Sequence, residues 1–248
     1  MKHKLPILLF ALLTLIIVAC GSNAAADSSA NEDNASAANN SLTLTWHDGD
    51  ICTTAILQAD SGVQTGPCEG TLSSYAFSAD TPEAATLLAN FNTIYAPFTK
   101  ETAVGDLTFN SALGTTIATP SQQRQIAETA RWLVETAVAG RSSAANYLVL
   151  SWHREGGIAG FCDDLTIYTN GRAEATSCKG TTTQIGLNDA QLNQLYAWLD
   201  TFRPFDANQS DPAGAADAMQ ISLRFNGRGS EDAKDAEQTI LTFAADLV

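Results

Sequence analysis

The chain has 248 residues, with 27 acidic against 13 basic side chains and a formal charge of −14 at pH 7. An acidic surface excludes the clustered Lys and Arg that nucleic-acid binding requires. It also excludes electrostatic adhesion to anionic lipid. Lys2 and Lys4 give a short basic start, and residues 5–19 are almost wholly apolar. That is the layout of a secretory signal, too short for a comfortable membrane span.

The apolar run closes in Ile17-Val18-Ala19-Cys20. This ending resembles the bacterial lipobox. The resemblance implies diacylglycerol attachment at the Cys20 thiol, cleavage before it, and a membrane partner reached through the lipid. Residues 1–19 are then a signal peptide. Loss of Lys2 and Lys4 takes the formal charge from −14 to −16. Residues 20–40 hold no apolar side chain larger than Ala after Cys20 and read as a flexible tether. The expected location is extracytoplasmic, held to the cell envelope by lipid. Cys20 taken, four of the five cysteines remain, an even number that suits disulfides outside the cytoplasm.

The folded part carries an internal repeat. Leu42-Thr43-Leu44-Thr45-Trp46-His47 returns as Leu148-Val149-Leu150-Ser151-Trp152-His153. Cys52 and Cys68 follow the first copy, Cys162 and Cys178 the second, at one spacing. A repeat of about 110 residues exceeds a solenoid unit and fits a small domain. The expectation is two tandem homologous domains, 41–140 and 146–248, joined by a linker at 140–145. Each copy reads as α+β: an antiparallel sheet, a disulfide-stapled hairpin and two helices.

In the first copy Thr81-Pro82 opens a helix. Leu107 and Phe109 mark a strand, and Thr119-Pro120-Ser121-Gln122 is a capping box that starts a second helix. In the second copy residues 147–152 form the first strand. Residues 165–168 and 172–176 flank Asn170-Gly171, a hairpin signal. Asn188 with Gln191 caps a helix whose Leu192, Leu195, Trp198 and Leu199 form an apolar stripe. Met219, Ile221, Leu223 and Phe225 alternate as a half-buried strand. A last helix is expected from about Asp232 to Leu247.

A three-residue turn at 169–171, with Gly171 left-handed, pairs Tyr168 with Arg172. Counting outward sets Cys162 opposite Cys178, at the separation a disulfide needs. It also sets both on the face away from the helices. The local pairings Cys52–Cys68 and Cys162–Cys178 are therefore expected, each worth about 3 kcal/mol. A four-cysteine metal site is disfavoured, since no CxxC pair occurs. No metal and no cofactor are expected.

Catalytic signals are sparse. The mature chain holds His47 and His153 alone among histidines, each after a strand Trp. There is no GxSxG elbow, phosphate-binding glycine loop or HExxH. The copies differ most between Trp and the first Cys. Five residues stand there in the first (47–51) and nine in the second (153–161). The excess makes a glycine-rich loop, Gly156, Gly157, Ile158, Ala159 and Gly160, followed by Phe161. Glycines at positive φ in a plain connection explain it; so does a loop that another protein's groove accepts.

Gly156-Gly157-Ile158-Ala159-Gly160 after a first strand resembles the Gly-Gly-Phe-Ala-Gly type segment of emfourin-like inhibitors of thermolysin-type metallopeptidases. The later order, a Leu-rich helix, a strand and a closing helix, is also similar. The resemblance covers the second copy, roughly residues 147–248; the first lacks the glycine motif. It implies a complex that occludes a peptidase cleft, with 156–161 at the contact and no chemistry by this chain. The expected function is thus a membrane-anchored binding lipoprotein, a peptidase inhibitor in its specific form, and not an enzyme. A solute- or glycan-binding module and an envelope structural or assembly lipoprotein are the alternatives.

Overall fold

Leu42, Leu44 and Trp46 are buried along the first strand, and Ser41, Thr43 and Thr45 between them are not. Strict alternation of this kind builds a sheet with one apolar face. The computed structural model describes residues 41–58, 62–77, 82–140, 147–177, 180–211 and 218–248. The expected signal peptide and tether (1–40, with Cys20), Thr81, most of the linker and Cys178 lie outside the described residues.

The first half runs β1 (Ser41–Asp48), β2 (Ile51–Gln58), β3 (Gly62–Pro67), β4 (Ser73–Tyr75), α1 (Pro82–Ile94), β5 (Phe98–Thr102), β6 (Gly105–Asn110) and α2 (Pro120–Ala139). The second runs β7 (Leu148–Gly156), β8 (Phe161–Tyr168), β9 (Arg172–Ser177), β10 (Thr182–Gly186), α3 (Asp189–Thr201), β11 (Phe205–Ser210), β12 (Met219–Phe225) and α4 (Glu237–Ala245). The element order is the same in both. So is the strand order: β4-β3-β2-β1-β6-β5 in one sheet, β10-β9-β8-β7-β12-β11 in the other, every pair antiparallel.

Each sheet buries one face under helices. Leu44 faces Ala55 and Leu107 across β2 and β6; Trp152 faces Leu165 and Leu223 across β8 and β12. All six are buried. The helices start where capping chemistry puts them. Thr119 and Asn188 each complete a capping box, with Gln122 and Gln191. Such a cap contributes about 1 kcal/mol. Around Asn170-Gly171 the register is Asp163↔Ser177 through Ile167↔Ala173, as the counted hairpin requires.

Two expectations are corrected. The sheets have six strands each, because β4, β5, β10 and β11 add to the edges. These strands are mostly exposed and polar, so their sequences lack the alternation that marked the others. The last helix begins at Glu237, not near Asp232. Asp232 instead accepts from the Lys234 backbone N–H (3.1 Å) and pairs with Arg203 (2.7 Å), which holds that stretch in turns.

The two halves meet through α2. Arg124 grips Asp200 with both guanidinium nitrogens and lies 4.4 Å over the Tyr196 ring. Glu128 is fully buried and takes both its bonds from Arg228 (2.9 and 3.3 Å). Trp132 stacks on Tyr147 and Tyr168 at 5.3 and 5.7 Å. The hydroxyls of Thr119 and Ser121 donate to Asp189, which lowers its pKa. Asp189 sits in the first turn of α3 and bonds the cap of α2, where both helix dipoles favour negative charge.

Candidate functional site: the long hairpin of the second half

The β1–β2 hairpin closes early. His47 pairs with Cys52 and Asp48 with Ile51. The two residues Gly49 and Asp50 make the turn, Gly49 at φ 63°. Counted from its tryptophan, the β7–β8 hairpin has more pairs. Beyond Trp152↔Leu165 it adds His153↔Asp164, Arg154↔Asp163, Glu155↔Cys162 and Gly156↔Phe161. Residues 157–160 then form a four-residue turn. The glycine-rich stretch is therefore not a slack loop. Gly156 and Phe161 are its last strand pair, and Gly157, Ile158, Ala159 and Gly160 are its apex. Copying the end of the first strand from the Leu-Ser-Trp pattern misses this, because glycines there read as a strand end.

Gly156 serves a close approach. A Cβ there would lie 2.2 Å from the Ala218 carbonyl oxygen, where β12 begins. At the apex Ile158 is 92% exposed, the most exposed large apolar side chain among the described residues. Phe161, beside it, is 39% exposed.

The stem below the apex is braced on both faces. On the core side Arg154 bonds Asp163 (2.6 and 3.1 Å) and lies 3.9 Å over Phe161 and 5.3 Å over Trp152. This ladder carries order from the core to the tip. On the outer side His153 Nδ1 meets Asp164 at 2.8 Å, and its Nε2 lies 3.6 Å from Glu155. The hydrogen bond to Asp164 raises the His153 pKa above its ordinary value, with the charge of Asp164 and Glu155 adding to it. Arg154, Asp163 and Asp164 escaped the sequence reading. Continuing the register past Trp152 would have found them.

Cys52 and Cys68 are joined, with Cα atoms 5.5 Å apart, in the row of β2 opposite to the Trp46 row. Cys162 is disulfide-bonded too. Trp46 and Trp152 are buried, 6% and 1% exposed, so neither offers a stacking surface to a sugar. His47 is exposed at its strand end and His153 is committed to Asp164. Among the described residues no group of three or more His, Cys, Asp or Glu is placed to hold a metal ion. No helix among them is long and apolar enough to cross a membrane, which says nothing of a β-barrel.

What the site offers is shape: a narrow, charge-paired stem that projects one branched aliphatic side chain between glycines and alanine. Compared with known proteins, the chain matches no protein family, no curated relative and no solved structure.

Proposed function

We propose that the chain is a lipid-anchored binding protein of the cell envelope and that a partner protein takes up the apex of the β7–β8 hairpin. In its specific form the partner is a secreted or envelope peptidase, occluded by 156–161 without chemistry by this chain. The two halves are then diverged copies of one domain, of which the second acquired the recognition element. The observation that carries this reading is the exposure of Ile158 on a stem braced by Arg154, Asp163 and Phe161. Ile158 and Phe161 stand exposed together at one tip, where a partner's pocket would cover both. The lipid anchor at Cys20, the Cys162–Cys178 pairing and the absence of nucleic-acid and metal partners belong to the same proposal.

The test is titration of a thermolysin-type peptidase with the purified chain, with Ile158→Asp alongside. Stoichiometric loss of peptidase activity with the parent chain and none with Ile158→Asp is expected. No inhibition at micromolar protein removes the inhibitor form. Cys20→Ser tests the anchor: the protein should leave the membrane fraction or keep its signal peptide.

A second reading has one observation in its favour. A shallow groove of about 450 Å³ on the second sheet is lined by Ser151, Asp206, Asn208, Ser222 and Arg224, with Leu148 and Leu223. Polar groups beside an apolar patch suit a glycan, which presents both kinds of surface. Equilibrium dialysis against sugars, with Asn208→Ala as control, separates this from the hairpin.

A further inference from the structure

The first half holds a groove of about 580 Å³ between the C-terminal turns of α2 and the closed end of the β1–β2 hairpin. That size lies within the range of about 300–1,000 Å³ found for binding sites. Trp46, Ile51, Thr65, Tyr75, Val134 and Val138 line it. Ile51 is 68% exposed and Val138 50%, so apolar surface stands in water on both walls. In the second half Trp152 is covered from its own strand by Arg154, 5.3 Å over its ring. In the first half Arg131 of α2 lies 5.7 Å over the Trp46 ring, on the helix side of the groove.

Charge decides what could fill it. Glu135 lines the groove, and Asp48 stands at its Trp46 end, bonded to the indole N–H at 3.1 Å. Arg131 lies between these two carboxylates and bonds both, which leaves one negative charge over. Asp50 adjoins Ile51, and Glu69 follows Cys68 at the same sheet end; both are exposed. Among the described residues, Glu135 in the lining and Asp48, Asp50 and Glu69 beside it stand against one guanidinium, so the surroundings of the apolar floor are acidic. Burial, together with the hydrogen bond its hydroxyl donates to Glu135, pushes the Tyr147 pKa up, and that bond holds the carboxylate in place.

From this we infer that the groove is a second binding site, for a segment of polypeptide that carries aliphatic side chains flanked by Lys or Arg. Aliphatic groups cover Ile51 and Val138; cations meet the rim. The site is separate from the β7–β8 apex and stands whether or not that apex binds anything.

The probe is a short peptide of alternating Leu and Lys, added to the purified full chain with its disulfides formed. Chemical-shift mapping reads contact at the Trp46 indole and the Val134 and Val138 methyls. A matched peptide of alternating Leu and Glu is the control. The Lys peptide should bind with shifts confined to the groove and weaken as salt rises. Val138→Arg and, separately, Ile51→Lys should each weaken it by about tenfold or more, since each places a cation against an apolar anchor point. Both positions are exposed, so the variants fold. Failure of the Lys peptide to bind overturns the inference. So does equal binding of the Glu peptide, or unchanged affinity in both variants.

Discussion

The two hairpins that bear the buried tryptophans differ in register and in their turns. Trp152 pairs with Leu165 and Leu223 as Leu44 pairs with Ala55 and Leu107, so Arg154 stands where the first half has Trp46. In the first half an arginine from the helix, Arg131, covers Trp46 from 5.7 Å and pairs with Asp48 and Glu135. In the second half the covering arginine, Arg154, comes from the strand itself and pairs with Asp163 across the hairpin. The same need, a cation over an indole edge at the end of the core, is met from two directions. Both strands run four residues past the matching row, to Asp48 and Gly156; the turn that follows has two residues in the first half and four in the second.

The comparison breaks most severely where the halves are joined. Glu128→Ala removes the bonds to Arg228 and leaves Arg124 with Asp200 alone, and should lower stability by about 1.5–3 kcal/mol. Denaturant melts should show one cooperative transition in the parent chain and two in the variant. One transition in both would mean that the halves are held by Trp132 and its tyrosines alone.

The staple comes next. Cys52 and Cys68 enclose a sequence separation of 16, and their joint replacement by Ala should cost about 3 kcal/mol. Replacing Cys162 and Cys178, which share that spacing, should cost the same if the two halves are stapled alike. Unequal losses in melts of the two double variants would show that the longer hairpin bears its bond differently.

How much of this could be read from the sequence depends on how each residue earns its place. Asn170-Gly171 fixes a turn, so the β8–β9 register followed by counting. Thr119 and Asn188 cap helices through local chemistry, so both starts were legible. The edge strands β5 and β11 were not, because Thr99, Lys100 and Glu101, or Asp206, Asn208 and Gln209, are ordered by pairing with a neighbour rather than by burial. The stem of the long hairpin was hidden for another reason. Its glycines are strand-breaking by habit, and it takes the left-handed φ of 88° and the contact with Ala218 to explain Gly156. Arg124 and Glu128 meet their partners across 76 and 100 residues of sequence, which no local pattern reports.

The two arginines sharpen the comparison. Arg154→Ala should cost about 2 kcal/mol, since its ion pair is largely buried and its ring contacts are close. Arg131→Ala should cost about 1 kcal/mol, because Asp48 is mostly in water. Equal costs by thermal melt would mean that the strand-borne arginine carries no special burden at the tip.

A smaller difference is expected with pH. The folded His153 pKa is raised, so its contribution is fully present below the unfolded value, about 6.5. That contribution is lost as pH rises through the folded value. The parent chain should therefore lose slightly more stability than His153→Ala between pH 6 and pH 8. Identical pH profiles would place the His153–Asp164 bond outside the energetics of the stem.

The most direct test of the central claim replaces the apex and leaves everything beneath it. Exchanging residues 157–160 for Asn-Gly restores the short turn of the first half and keeps every strand pair through Gly156↔Phe161, the Arg154 ladder and the cysteines. Thermal stability and peptidase inhibition are measured on the same preparation. A melting temperature near that of the parent chain with inhibition abolished is the predicted result. Full inhibition by the exchanged protein would contradict the account, since recognition would then lie somewhere other than the exposed tip.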